Sequence, residues 1–268
     1  MFLYKTVIPY LVGLLAVLVL LSACAQQQGA PAMPKRIVDL SPTISEDLPV
    51  RTVGSKFLAD FGYPERTTFE HKITEEPFYA ADSFLTLFNH VGPHHDAPSH
   101  IIRGAASTDQ FPLEKFFGRA RLFDFRSKPK DQPLTRADFE GTGIQPGEVV
   151  IVLVGYTPPT EPDELPSYAY LSGEAAEYLA GIPVKAFTSD MPSLGSIRRY
   201  LRLIEEGAQG SENFFPEHYA FLSREIPNIE GLVNLESLLG EENIVFVGFP
   251  LKIKDGNAGP LRAAALVY

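Results

Sequence analysis

Residues 90–100 read His-Val-Gly-Pro-His-His-Asp-Ala-Pro-Ser-His, and this run restricts the local fold more than any other stretch of the 268-residue chain. Four of the six histidines fall within it, beside Asp96 and interleaved with Gly92, Pro93 and Pro98. A helix would put His90 and His94 on one face. Pro93 inside that turn would lack its backbone donor and clash with the carbonyl at position 89. The glycine and prolines favour a shaped loop instead. Imidazole nitrogen and carboxylate oxygen are the usual ligands for zinc and related divalent ions. A rigid loop aiming several of them at one point can hold a catalytic metal, so the run is read as a metal site and not as an exposed polar loop. No His-Glu-x-x-His helix motif and no Gly-x-Ser-x-Gly nucleophile elbow occurs in the chain.

The amino-terminal residues read as an export signal. Lys5 precedes an apolar run over residues 7–21 that ends Leu21-Ser22-Ala23-Cys24. That ending resembles the bacterial lipoprotein signal, in which the cysteine is acylated and becomes the mature N-terminus. The expected organisation is a signal over residues 1–23, a flexible tether over 24–35 rich in Gln, Gly, Ala and Pro, and one catalytic domain over 36–268. An uncleaved membrane anchor is the alternative, because the run is nearly long enough to span a bilayer. Either reading puts the domain in the cell envelope, outside the cytoplasm, with membrane attachment through Cys24 in the first. Ala25, in place of an aspartate, makes the outer membrane the default. Cys24 is the only cysteine, so the domain has no disulfide and no thiolate ligand. With 23 Lys and Arg against 33 Asp and Glu, the net charge is −10 and no basic run appears. Nucleic-acid binding, which needs clustered cations, is disfavoured.

Strand signals dominate the rest. Residues 37–40, 84–88, 120–125, 149–154, 184–187 and 244–249 are rich in strand formers, and residues 262–267 can pair with 244–249. Residues 149–154 form a continuous apolar run, as expected of a strand buried on both faces. Residues 84–88 are expected to lead straight into the ligand loop. Ser172 can cap a helix through Leu179, with Gly181 as its stop. The fold class is mixed α/β, without the regular repeat of a parallel barrel.

The segment 90–100 resembles the signature His-x-Gly-Thr-His-x-Asp-x-Pro-x-His of the metal-dependent cyclase family, which includes bacterial kynurenine formamidase, isatin hydrolase and some lactone hydrolases. Pro93, where threonine is usual, is the one departure within it. Ile37-Val38-Asp39-Leu40-Ser41, Pro146-Gly147-Glu148-Val149-Val150, the helix beginning at Ser172, and the closing stretches at 250–253 and 260–263 are also similar to the family, so the resemblance covers most of 36–268.

The resemblance implies a swivelling β/β/α-type fold with a mixed sheet, a homodimer or larger assembly, and one or two divalent ions, zinc or manganese. It implies His90, His94 and Asp96 as ligands and His100 as catalytic acid/base. In members with two metals a later histidine and a glutamate twelve residues on complete the site, and His218 and Glu230 have that separation. Val154-Gly155-Tyr156 departs from the family's Thr-Gly-Trp, and Gly195 stands where an acid is common, so selectivity is expected to differ. His95 is expected to point away from its neighbours and be structural, and His71 to be an ordinary surface residue. Phe57, Phe61 and Tyr63 offer aromatic surface for a substrate or for the core.

The function expected from this is hydrolysis of a small amide, cyclic imide or lactone. An ion with an open coordination position acidifies water and polarises a carbonyl. His100, whose imidazole titrates near neutrality, moves a proton to the leaving group. The alternatives are a metal-dependent cyclisation or dehydration without hydrolysis, and a lipoprotein that binds a ligand without turnover.

Overall fold

The computed structural model of the protein describes residues 32–46, 48, 67–159, 164–208 and 214–268. The expected signal over 1–23, Cys24, the tether up to residue 31, and Phe57, Phe61 and Tyr63 lie outside the described residues. In chain order the strands are β1 (Arg36–Asp39), β2 (Thr68–Thr74), β3 (Ala80–Thr86), β4 (His94–Asp96), β5 (Phe117–Asp124), β6 (Pro133–Leu134), β7 (Val149–Leu153), β8 (Tyr170–Leu171), β9 (Ala186–Ser189), β10 (Asn228–Glu230), β11 (Ile244–Val247), β12 (Ala258–Pro260) and β13 (Ala264–Val267). The α-helices are α1 (Arg136–Phe139), α2 (Gly173–Gly181), α3 (Ile197–Glu205) and α4 (Pro216–Leu222).

Among the described residues, nine strands form one mixed sheet in the order β1-β13-β11-β5-β7-β9-β10-β4-β12. The central run β5-β7-β9-β10 is parallel, and the pairs flanking it are antiparallel. The mixed α/β class and the pairing of β13 with β11 follow the expectation.

β7 explains why the sheet is buried on both sides. Its sequence Val-Val-Ile-Val-Leu is fully buried, and successive side chains point to opposite faces. Val150 and Val152 join a core with Phe187, Leu179 of α2 and Phe221 of α4. Val149, Ile151 and Leu153 join a second core with Ile229, Phe246 and Ala265. Each such side chain contributes about 1.5–3 kcal/mol by leaving water. α2 starts where Ser172 Oγ accepts a hydrogen bond from Ala175 N at 3.1 Å, and it ends at Gly181, two residues before Pro183.

Two expectations need correction. Residues 84–88 do not run as a strand into the ligand segment. β3 ends at Thr86 and, among the described residues, pairs with β2 alone, in a separate two-stranded ribbon that leaves Phe84 and Leu85 exposed. Strand-forming residues there are satisfied by a local partner and not by the main sheet. The ligand segment, for its part, is not wholly a loop. His94–Asp96 is a three-residue strand inside the sheet, and Pro98–His100 is one 3₁₀ turn with Pro98 at its start, where proline's missing donor is harmless.

Phe187 is fully buried and stacks on Phe221 with centroids 5.2 Å apart. Phe187→Ala is expected to cost about 3–5 kcal/mol, read as a lower denaturant midpoint with an unchanged slope.

Candidate metal centre

β4 lies between β10 and β12. In its antiparallel register with β10, Asp96 faces Asn228 and His94 faces Glu230. Alternation along a strand then sets His94, Asp96, Asn228 and Glu230 on one face. His95 turns to the other, where its Nε2 lies 3.2 Å from Thr108 Oγ1 and its ring packs on Phe111 and Phe116. This is the structural position expected of it.

Gly92 (φ +57) makes the turn that delivers β4. Its carbonyl oxygen is 2.9 Å from His94 Nδ1. A carbonyl only accepts, so Nδ1 donates to it, and Nε2 is the nitrogen that faces the carboxylates. Nε2 lies 3.7 Å from Asp96 Oδ1 and 3.6 Å from Glu230 Oε2. His90 Nδ1 is 3.0 Å from Asp96 Oδ1. From α4, His218 Nε2 reaches Glu230 Oε1 at 3.2 Å and Asp96 Oδ2 at 3.6 Å. The 3₁₀ turn brings the His100 ring within 4.6 Å of the His90 ring and 6.2 Å of the His218 ring, centroid to centroid.

All six residues singled out in the sequence therefore meet, around Asp96. Ligand atoms of His90, Asp96 and His100, and separately of His94, Asp96 and Glu230, lie within 4.8 Å of one another. His100 is thus also within ligand distance, although it is the least buried of the six. His71 lies on β2 with Nδ1 2.9 Å from Ser83 Oγ, a surface position as expected.

The electrostatics of the cluster suit a cation. Asp96 and Glu230 are 1% and 5% exposed, and among the described residues their ion-pair partners are imidazoles, never Lys or Arg. Burial pushes His90 down to about 3 despite its hydrogen bond to Asp96, so it is neutral with a lone pair to offer. Burial alone would raise Asp96, but the imidazoles of His100, His90 and His94 hold it well below the usual carboxylate range. Burial also opposes charge on His218, yet the hydrogen bond and charge of Glu230, with Asp96 and Glu217, raise it above the ordinary value. Two carboxyl groups buried together without a Lys or Arg beside them among the described residues carry negative charge that is expensive to leave uncompensated. A divalent ion fits this donor set and would compete with a proton for His218.

The cluster lines a cavity of about 480 Å³. Asp190, at the end of β9, also lines it and accepts three consecutive backbone hydrogen bonds, from Val154 N (2.9 Å), Gly155 N (2.8 Å) and Tyr156 N (2.9 Å). Burial raises its carboxyl to about 6 even so. It thereby fixes the turn after β7, which Gly155 makes at φ +71, and presents Tyr156 to the cavity. The two departures at 154–156 and 188–195, separate in sequence, are thus one wall. A methyl group at Gly195 would overlap the Glu217 carboxylate and the Tyr200 hydroxyl, which hydrogen-bond to each other. Glu217 of α4 therefore brings a carboxylate to the place where position 195 itself supplies none.

Sequence reading missed two residues here. Asn228 is fully buried and donates from Nδ2 to Asp96 Oδ2 at 2.8 Å. Its signal was present, two residues before Glu230 on an alternating strand. Glu217 had none beyond adjacency to His218.

Comparison with known proteins follows the same line. A family model described as "Putative cyclase" matches residues 38–196. The chain is 30% identical over 182 residues to the kynurenine formamidase of Salinibacter ruber, across 67% of this chain and 76% of that one. It is 26% identical over 228 residues to the isatin hydrolase of Roseibium aggregatum, across 74% and 80%. In structure it resembles isatin hydrolase A from Labrenzia aggregata, with a TM-score of 0.69 at 24% identity over 87% of this chain and 93% of that one, a likeness of fold. With the match spanning the ligand segment, β5, β7, β9 and the Asp190 wall, the chain belongs to the cyclase family of metal-dependent hydrolases.

Proposed function

We propose that this protein hydrolyses a carbon–nitrogen bond in a small amide or cyclic imide, or the ester bond of a lactone, with zinc or manganese held by His90, His94 and Asp96 and a second ion by Asp96, His218 and Glu230. The observation that carries this reading is the gathering of those side chains around buried Asp96 in a cavity wall: ligand atoms of His90, Asp96 and His100, and of His94, Asp96 and Glu230, lie within 4.8 Å of one another, and His218 Nε2 is 3.2 Å from Glu230 Oε1. The kynurenine formamidase and isatin hydrolase relatives support the bond class. Lewis acidity toward a carbonyl oxygen, and a water acidified toward neutral pH, are the chemistry a divalent ion supplies when bound there.

The residues divide the remaining work. Asp96 presents Oδ1 to His90 and His94 and Oδ2 to His218, so its two oxygens face the two ligand sets. Asn228 holds Oδ2 in that orientation, and Gly92 O holds the His94 tautomer. His100, on the cavity wall, gives a proton to the departing nitrogen or oxygen, so that amide and water become carboxylate and amine.

The proposal extends to location and assembly. We read residues 1–23 as a lipoprotein signal that leaves acylated Cys24 to anchor the domain in the envelope, the outer membrane by default. The run at 7–21 and its Leu-Ser-Ala-Cys ending support this; among the described residues no helix is long and apolar enough to cross a membrane. A homodimer is supported by Phe78, Tyr79 and Phe84, exposed on the β2–β3 ribbon, since an isolated two-stranded ribbon is marginal in water.

Three outcomes are expected. His100→Ala should lower kcat by about 10²–10⁴-fold on formylated anilines, cyclic imides or lactones, with metal content by elemental analysis unchanged. Loss of metal in that variant would make His100 a ligand instead. Asn228→Ala should weaken zinc or manganese affinity about 10–100-fold in calorimetric titration of the metal-free protein. Cys24→Ser should release the protein from the membrane fraction, whereas full-size protein still sedimenting with membranes would establish the uncleaved anchor.

A further inference from the structure

The wall of the cavity that holds the metal cluster is formed in part by α3. Its sequence Ile-Arg-Arg-Tyr-Leu-Arg-Leu-Ile-Glu places Ile197, Tyr200, Leu201 and Ile204 on one face, at the spacing of an amphipathic helix. These four side chains line the cavity, with Phe214 and Phe215 beside them. Tyr200 packs edge-on against Phe215 at 4.8 Å and stacks with Phe214 at 5.7 Å, centroid to centroid.

The three arginines of α3 lie elsewhere. Arg198 is engaged with Leu165 O at 3.3 Å and Asp131 Oδ1 at 3.4 Å. Arg199 donates to Phe214 O at 3.1 Å, and Arg202 is exposed. Among the described residues, no Lys or Arg lines the cavity.

The acids that do line it are already committed. Asp190 already accepts three backbone hydrogen bonds. Glu230 accepts from Leu194 N at 3.0 Å and faces His94 and His218. Against this wall, a bound amino-acid group would bring an ammonium and a carboxylate that meet no Lys or Arg and no uncommitted acid among the described residues. Burying a charge unpaired is among the most unfavourable steps available to a ligand. An aryl or branched alkyl group, by contrast, meets ring faces and aliphatic carbons throughout, and gains from each methylene it buries.

We propose that the α3 face, with Phe214 and Phe215, selects an uncharged substrate carrying an apolar arm next to the scissile carbonyl, and turns away one that carries a free amino-acid group. This rests on the hydrolase reading and narrows it. The relatives' shared bond chemistry does not require a shared substrate, because the metal cluster acts on the carbonyl while this wall meets the rest of the molecule.

The test uses a matched pair on the metal-loaded, full-length protein: 4-butylformanilide, and the same formanilide with the butyl group replaced by a 2-amino-2-carboxyethyl group, 4-formamidophenylalanine. kcat/KM is expected to be at least about tenfold higher for the butyl compound, the size of effect that a pocket mismatch produces. Leu201→Arg and, independently, Ile204→Arg should each shrink that ratio by lowering the butyl rate and raising the amino-acid rate, with metal content unchanged. Equal or faster turnover of the amino-acid compound by the unaltered protein would overturn this selectivity and leave the hydrolase reading intact. Turnover of neither compound, nor of any cyclic imide or lactone in the same panel, would overturn both.

Discussion

The pairing of β4 with β10 is the contact on which the site depends. Three residues on each strand meet in antiparallel register, and that register alone sets His94 against Glu230 and Asp96 against Asn228. Because strand side chains alternate, a slip of one residue would turn Glu230 and Asn228 away from the ligand face and bring Ile229 into it. β12 on the other side of β4, with Ala258 opposite Asp96 and Pro260 opposite His94, fixes the same three residues from the sheet edge. The ligand segment is thus held between neighbours from the distant carboxyl-terminal part of the chain, and the cluster assembles only when β4 pairs with them.

The arrangement also links stability to the ion. Among the described residues, Asp96 and Glu230 sit in the sheet with imidazoles as their ion-pair partners, in a place where an apolar pair would pack without any electrostatic penalty. Buried ionic groups of this kind are weak contributors to folding and are retained for function. Metal binding returns part of what the cluster costs, since a ligand that binds only the folded state stabilises it by mass action. The two apolar cores on either side of β7 supply the remainder and explain how the sheet tolerates such a cluster near one end.

Much of this was legible in the sequence, for definable reasons. Residues 149–154 are apolar without interruption because the strand feeds two cores, and the histidine segment keeps its spacing because four side chains must reach one point. Residues 84–88 misled because strand propensity does not say which partner a strand will take, and here it takes β2. Gly92, Pro93 and Pro98 break regular structure and so favour a loop at the ligand segment, yet only three residues between the prolines are needed to join a sheet. Glu217 and Asn228 escaped because their roles depend on what lies across from them. The vacancy at Gly195, visible in the sequence as a missing acid, acquires meaning only once α4 is seen to fill it.

Gly231 has a consequence of its own. It adopts φ +73, and a Cβ there would stand 2.9 Å from the carbonyl oxygen of Gly92, the same atom that His94 Nδ1 contacts. The absence of a side chain at Gly231 thus leaves room for the carbonyl that orients the His94 ring. Bulk added at that position would push an acceptor off a ring it orients, so damage to coordination would begin at a residue with no ligand atom to lose.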